Sequence, residues 1–378
     1  MEVIGIICEY NPFHNGHLYH INKIKEMYEN SLIVLIISGY FTQRGNISIL
    51  SKEDKTKISL LNNVDIVLEL PFIYSTQSAD VFAESSIKIL NELKITKLVF
   101  GSECDNINTL KNIVNIQLNN DTYDNKVKEY LDKGENYPTA MAKALNINKD
   151  IFFPNNLLGI SYIKAIIKNN YNIEPIVIKR TNDFHDLSSN DNIISASNIR
   201  NKINNGIPIE NYVPNNVTKF IKNVNYDKLF ELLKSKIITE DNLSKFLTVD
   251  EGIDNKLKKV INNCNSVEEL IQEIKTKRYT YNKLNRMFIH ILIGVLKEDN
   301  KIPIDYIKVL GFNSTGKKYL NKIKKEMNIS LLLNHKSKLY NYELRASLIY
   351  DMLTNSNSYK FELENKPIII WLKLFFYF

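Results

Sequence analysis

Near-continuous apolar runs alternate with helix-like stretches through the first quarter of this chain, and that alternation constrains its fold more than any other feature. The runs are 3–8 (VIGIIC), 31–39 (SLIVLIISG), 64–71 (VDIVLELP) and 95–103 (ITKLVFGSE). Such runs suit strands buried on both faces, as in parallel sheets, whereas a half-exposed strand would alternate polar and apolar residues. Between them, Leu18, Ile21, Ile24 and Met27, and later Val81, Phe82, Ile87 and Leu90, recur at helical spacing. Strand, helix, strand repeated in this way predicts an α/β domain with a Rossmann-like, mostly parallel sheet and right-handed crossovers. Residues 105–170 read as largely helical, 172–180 (NIEPIVIKR) as a further strand, and 195–206 (SASNIRNKINNG) as a helix that Ser195 or Ser197 would cap.

Past the Pro-containing stretch 207–217 the pattern changes to long helical segments rich in Leu, Ile and Lys, with no convincing strand until the end. We therefore expect residues 1–210 to form the α/β domain and 211–378 a mostly α-helical one. A chain of 378 residues with a hydrophobic fraction of 44% is large enough for two cores. The C-terminal IIIWLKLFFYF (368–378) is too short for a membrane helix and interrupted by Lys373, so it reads as a terminal strand or docking segment.

Cys8, Cys104 and Cys264 are far apart and form no CxxC pair, which argues against a disulfide framework and a Cys-based zinc site. No secretory leader is visible at the start, and a reducing cytoplasm is the expected location. Formal charge +7 suits a nucleic-acid partner without requiring one. No protein partner is readable, and no metal-ligand set.

The chemistry concentrates where the first strand hands over to the first helix, in EYNPFHNGHLYH (9–20). Strand ends of open α/β sheets are where ligands bind. His14 and His17, three apart at the helix's positive end, can offer N–H donors to phosphate oxygens and to charge developing on a transferring phosphorus. Capping or packing is the plainer use of such a pair. A metal reading is poorer, since no third ligand lies nearby. No GxGxxG follows the first strand, so the dinucleotide fingerprint is absent.

NPFHNGH resembles the His-x-Gly-His signature of the nucleotidyltransferase superfamily that includes class I aminoacyl-tRNA synthetases. ISASNIR (194–200) is similar to its second signature, leaving Ser195, Ser197 and Arg200 to meet a triphosphate. With GYFTQRG (39–45), DIVLELPFIYSTQSAD (65–80), GENYPTAMAKAL (134–145), PNNLLGISYIKAI (154–166), the FHD of Phe184, His185 and Asp186, KRYTYNKLNRMFIHILIG (277–294), VLGFNSTGKKYL (309–320) and ELRASLIY (343–350), nearly the whole chain resembles the bacterial tRNA(Met) cytidine acetate ligases.

That resemblance implies an AMP-forming ligase that activates acetate with ATP and acetylates the wobble cytidine of elongator tRNA(Met). It also implies an ATP site formed by Ile7, Cys8, Glu9, Tyr10, Asn11, Pro12, Phe13, His14, Asn15, Gly16, His17, Leu18, Tyr19 and His20, with Gly101, Asn155 and Arg180. His14, His17 and Ser197 would act on the reacting phosphate, and magnesium would arrive with ATP. Gly101 ends a predicted strand, Asn155 opens a helix as a possible cap, and Arg180 follows a strand. Arg44 and Asp54 are candidates for acetate or RNA. The basic runs 275–286 (KTKRYTYNKLNR) and 316–326 (GKKYLNKIKKE), with Tyr279, Tyr281 and Tyr319 among them, have the composition of an RNA face. The competing readings are a small-molecule adenylyltransferase forming a dinucleotide from ATP, against which the long helical half speaks, and a non-enzymatic RNA-binding module.

Overall fold

In the computed structural model, which describes residues 1–120, 122–180 and 192–371, the apolar runs become adjacent strands. They are β1 Val3–Cys8, β2 Leu32–Ser38, β3 Ile66–Leu70, β4 Lys97–Ser102 and β5 Glu174–Lys179. Two strands from the second half complete the sheet, β6 Val309–Asn313 and β7 Ile368–Ile370, in the order β5-β4-β1-β2-β3-β6-β7. β1 to β5 run parallel, β6 pairs antiparallel to β3, and β7 is parallel to β6.

Alternate residues of each strand feed opposite cores, so the runs are mainly apolar on both faces, with Ser38, Glu69 and Ser102 as buried exceptions toward the strand ends. Ile4, Ile6, Ile33, Leu35, Ile37 and Val67 pack with Ile21 and Ile24 of the helix Asn15–Met27. Val3, Leu32, Val34, Ile36, Leu68 and Phe100 pack with Phe82 and Leu90 of the helix Ala79–Glu92 and with Ile163 of the helix Pro154–Lys168.

Strand order decides where a ligand can sit. The chain steps from β1 through β2 to β3, then returns to lay β4 on the other side of β1. Loops leaving β1 and β4 diverge there and open a crevice beyond the strands' carboxyl ends. The HNGH segment leaves β1 at this point, and Gly101 lies near the end of β4.

The second half is mostly helical and also supplies β6, a strand within the stretch where the sequence shows no convincing one. Residues 309–313 are too few to display a period, and Gly311 serves close packing: a Cβ there would lie 2.7 Å from Ile368 O and 2.7 Å from Thr56 Cγ2. The expectation for the C-terminal segment concerns β7 for residues 368–370, and residues 372–378 lie outside the described residues.

A buried ion network joins second half to sheet. Lys52 Nζ meets Glu343 Oε2 at 3.1 Å and Glu362 Oε1 at 2.5 Å and also contacts Glu69. Lys308 pairs with Glu362 and lies 3.7 Å from Glu69. The three carboxylates are close enough to hold a metal ion, but the two ammonium groups already occupy them.

Candidate active site

The helix that starts after β1 is capped by its own histidines. His14 is the N-cap residue; its Nδ1 accepts from Gly16 N at 3.0 Å, while His17 Nδ1 accepts from His14 N at 3.2 Å. This is a capping box built from imidazoles in place of Ser and Glu. Nδ1 being the acceptor in both rings, the neutral tautomer carries its proton on Nε2, which remains available as a donor. The rings stack at 3.8 Å between centroids. Capping thus takes Nδ1 of each ring and leaves Nε2 as the nitrogen through which phosphate contact, its alternative in the sequence, would have to run. Gly16 is required by this arrangement, because a Cβ there would lie 2.8 Å from His14 Cε1 and displace the ring.

Both histidines are held neutral. Burial, then Arg180 and Arg200, pushes His14 down to about 3. His17 is also well below the usual range, through burial first and then His14, Arg180 and His20. His20, one turn further on, is lowered to about 4 by burial and Arg180, and its Nε2 has no hydrogen-bond partner among the described residues.

The rest of the segment supports these rings. Tyr10, at φ 48°, turns the chain out of β1 and packs on Phe13 and His17 at 4.8 and 4.6 Å between centroids. Pro12 and Phe13 are buried beneath, Ile7 and Cys8 are partly buried at the strand end, and burial raises the Cys8 thiol to about 12. Glu9 Oε1 accepts from Gln43 N at 2.5 Å. Asn11 is buried, Tyr19 is exposed, and the Asn15 amide donates to the carbonyls of Asn192 and Asn211, both at 2.9 Å. Asn15 and Leu18 also line a groove of about 620 Å³ that contains none of His14, His17, Arg180 or Arg200. They belong to the flank of the site.

Gly101 and Arg180 meet at the switch point. A Cβ on Gly101 would lie 3.5 Å from Arg180 Cγ, an ordinary contact, so glycine leaves open backbone beside the guanidinium. Arg180 Nε is buried without a partner among the described residues, and burial lowers the group, with Glu103 and Cys8 opposing. Asn155 is not the helix cap, which is Phe153; its amide donates to Glu103 Oε1 at 2.6 Å. Asn156, missed in the sequence, ties the helix to the end of β4 by accepting from Ser102 Oγ, Glu103 N and Cys104 N at 2.5 to 3.0 Å.

The second signature lies against the first. Ser195 caps the helix Ala196–Asn204 and contacts Ser197 Oγ at 2.9 Å. Arg200 Nη1 donates to Asn11 O at 2.5 Å. The FHD residues Phe184, His185 and Asp186 lie outside the described residues.

Several sequence candidates have structural employment. Asp54 accepts from Ser51 Oγ at 2.8 Å and pairs with Lys222 at 3.4 Å. Tyr279 and Tyr319 are buried and donate to Asp250 O and Leu93 O, at 2.7 and 2.9 Å, so neither ring is free to stack on a base. The helix Ser314–Ile323, which carries Lys317, Lys318 and Lys322, follows β6 from the edge where Asn313 N bonds Asp65 O, at the amino end of β3 and opposite the histidines. Sequence reasoning also passed over Arg286, although it lies inside a basic run quoted above.

The profile of the HIGH Nucleotidyl Transferase family matches residues 1–365. The tRNA(Met) cytidine acetate ligase of Caldicellulosiruptor saccharolyticus is 39% identical over 98% of this chain and 99% of its own length. That of Clostridium tetani is 35% identical, over 98% and 100%. Among solved structures, Thermotoga maritima TmcAL superposes with a TM-score of 0.89 in its apo form, at 26% identity and over 98% of this chain and 100% of that one. The same protein bound with alpha-thio ATP gives 0.86 at 25% identity over the same shares. With a signature pair meeting at the switch point of the sheet and relatives matching from end to end, the chain belongs to the tRNA(Met) cytidine acetate ligase family of HIGH nucleotidyltransferases.

Proposed function

We propose that this protein activates acetate with ATP, forming acetyl-adenylate and pyrophosphate, and transfers the acetyl group to N4 of the wobble cytidine of elongator tRNA(Met). The observation carrying this reading is a pair of neutral imidazoles whose Nε2–H donors are unengaged among the described residues, flanked by Arg180 and Arg200 in a crevice where the described residues supply few compensating carboxylates. A site so built favours a ligand that brings its own negative charge. In the first step an acetate oxygen attacks the α-phosphorus and the bond to pyrophosphate breaks. In the second the cytidine amine attacks the acetyl carbon, AMP leaves, and the amine loses a proton.

Each residue has a part in that scheme. His14 and His17 donate to α-phosphoryl oxygens as charge develops on them. Arg180, Arg200 and the Ser197 hydroxyl neutralise and orient the triphosphate and acetate. Gly101 and Asn155, with the segment from Ile7 to His20, shape the nucleotide pocket. Positioning and charge stabilisation suffice for such a transfer, with no covalent intermediate on the protein. Among the described residues the one carboxylate cluster that could hold a metal ion lies in the Lys52 network, away from this site; ATP would bring Mg2+ on its phosphates.

We assign the chemistry to residues 1–210 and tRNA contacts chiefly to 211–378, in the cytoplasm, where the tRNA is found. No helix among the described residues is long and apolar enough to cross a membrane. Incubating the protein with ATP, labelled acetate and bulk tRNA tests the reading. Label in N4-acetylcytidine of the tRNA digest, with stoichiometric AMP, is expected; AMP without labelled cytidine would overturn it.

A further inference from the structure

The helix Tyr281–Ile293 of the second half meets the border of the site at the loop around Gly45. Gly45, at φ +80°, lies so close to the helix Tyr281–Ile293 that a Cβ there would come within 2.5 Å of Arg286 N and 2.6 Å of Asn285 C. Asn285 Nδ2 donates to Asn46 Oδ1 at 3.3 Å. On its other flank the loop is held by Asn11, whose Oδ1 accepts from Ile49 N at 2.9 Å and whose carbonyl accepts from Arg200 at 2.5 Å. Arg44, Arg200 and Arg286, from separate segments, are thereby gathered around residues 44–49.

Like charges so gathered repel. Arg286 is pushed down to about 10, by burial and then by Arg44, and its Nε is buried without a hydrogen-bond partner among the described residues. Arg200 is lowered by burial too, with Glu9 and Tyr226 opposing and Arg44 adding.

Two tyrosines border the cluster. Tyr226 and Tyr281 open the helices Tyr226–Thr239 and Tyr281–Ile293, and they are 47% and 45% exposed. They lie within electrostatic reach of one another, and Tyr226 within reach of Arg200. Aromatic faces left in water beside guanidinium groups match unpaired RNA, whose bases stack on rings while its phosphates pair with arginine. A duplex, with its base faces already stacked, would leave the rings unused.

The geometry points to Tyr226, Tyr281 and Arg286 as the seat of an unpaired RNA loop at the mouth of the site, the loop from which the target cytidine enters. This rests on the ligase reading, and the test keeps the two separable. Binding of a fluorescein-labelled RNA hairpin with a single-stranded loop, and of a duplex of the same stem, is measured by anisotropy on the full chain. In parallel, acetate-dependent exchange of pyrophosphate into ATP is followed without RNA. Tyr226→Ala and Tyr281→Ala should each weaken hairpin binding about tenfold, the effect of losing one stacked base. Duplex affinity and exchange should be unchanged, and Tyr281→Phe should bind as the wild type. Arg286→Gln should weaken the hairpin and flatten the salt dependence by ~0.7 in log-log slope.

Hairpin affinity unchanged in both alanine variants would overturn the seat, as would equal losses for hairpin and duplex. Loss of exchange in step with binding would overturn it in favour of a nucleotide-phosphate role. If the hairpin results hold while the wild type shows no exchange, the seat stands and the ligase reading fails.

Discussion

Two regions of this molecule bury charge, and they do so in opposite ways. Beneath β3, Lys52 and Lys308 are enclosed by Glu69, Glu343 and Glu362, with Tyr40 donating to Glu362 at 3.0 Å. Each ammonium group there has its counter-charge within the protein, and the third carboxyl, Glu343, is raised to about 8 by burial and its acidic neighbours. At the carboxyl edge of β1, β4 and β5, arginines and histidines gather with few acids among the described residues, and burial lowers His14, His17, His20, Arg180 and Arg200 alike. The first region is complete without a ligand and joins the two halves of the chain. On the proposed reading the second is completed by a ligand, to which the groups unsatisfied among the described residues would turn.

The comparison is broken most severely at the closed network. Lys52→Met removes one cation and leaves carboxylates buried, a change worth roughly 3–5 kcal/mol. Urea unfolding should show that loss, and a loss below about 1 kcal/mol would mean the network relaxes into water. The open site should respond in activity instead. His17→Ala should reduce acetyl-adenylate formation by roughly two orders of magnitude, as expected when a preorganised donor is removed. Only ~1 kcal/mol of stability should go with the cap, so near wild-type rates in a folded variant would end the role assigned to its Nε2–H.

The two regions also titrate differently. His14, ordinarily near 6.5, is lowered to about 3, so the unfolded chain takes up its proton first. Its contribution is present above pH 6.5 and is lost as pH falls toward 3. Glu362, lowered to about 2, loses its contribution only as pH falls below 4.5. Glu343, raised to about 8, acts in the other sense, and its contribution fades as pH rises from 4.5 toward 8. His14→Asn keeps a capping side chain and removes the imidazole. It should therefore flatten the acid slope of stability between pH 6.5 and 4.5 by up to about 1.4 kcal/mol per pH unit, while leaving the slope below pH 4.5 that Glu362 adds. Identical curves for the two proteins would show that His14 takes up its proton in the fold as readily as in the unfolded chain.

The smallest effect is expected at the far edge of the sheet. Replacing Lys317 and Lys318 by Gln should change hairpin binding by less than about twofold, the ordinary fate of surface charges away from a contact. Anisotropy over a salt series would reveal a larger change, which would extend the RNA surface around the sheet.

What the sequence made legible follows the range of the interaction responsible. β1 to β3 and most of β4 could be read because strands buried on both faces leave near-continuous apolar runs, β5 because a short apolar run survives even at the edge, and the HNGH and SASNIR segments because a cap and a helix start are local. β6 could not, since five residues show no period and Gly311 answers to Ile368 and Thr56, which are distant in sequence. Tyr279, Tyr281 and Tyr319 look alike in the chain. Only tertiary contacts separate the two whose hydroxyls bond Asp250 O and Leu93 O from the one left in solvent. Arg286 was visible as a basic residue, but its relation to Arg44 depends on the contact between Gly45 and the helix backbone. That the histidines cap through Nδ1, leaving Nε2 for the proposed ligand contact, required the geometry itself.

The central claim is that the open, cationic site activates acetate before any RNA arrives. The most direct measurement is exchange of labelled pyrophosphate into ATP by the wild type without tRNA, with and without acetate. The account predicts exchange that depends on acetate and falls by about two orders of magnitude in His17→Ala. Exchange that appears only with tRNA present, or that is indifferent to acetate, would contradict it.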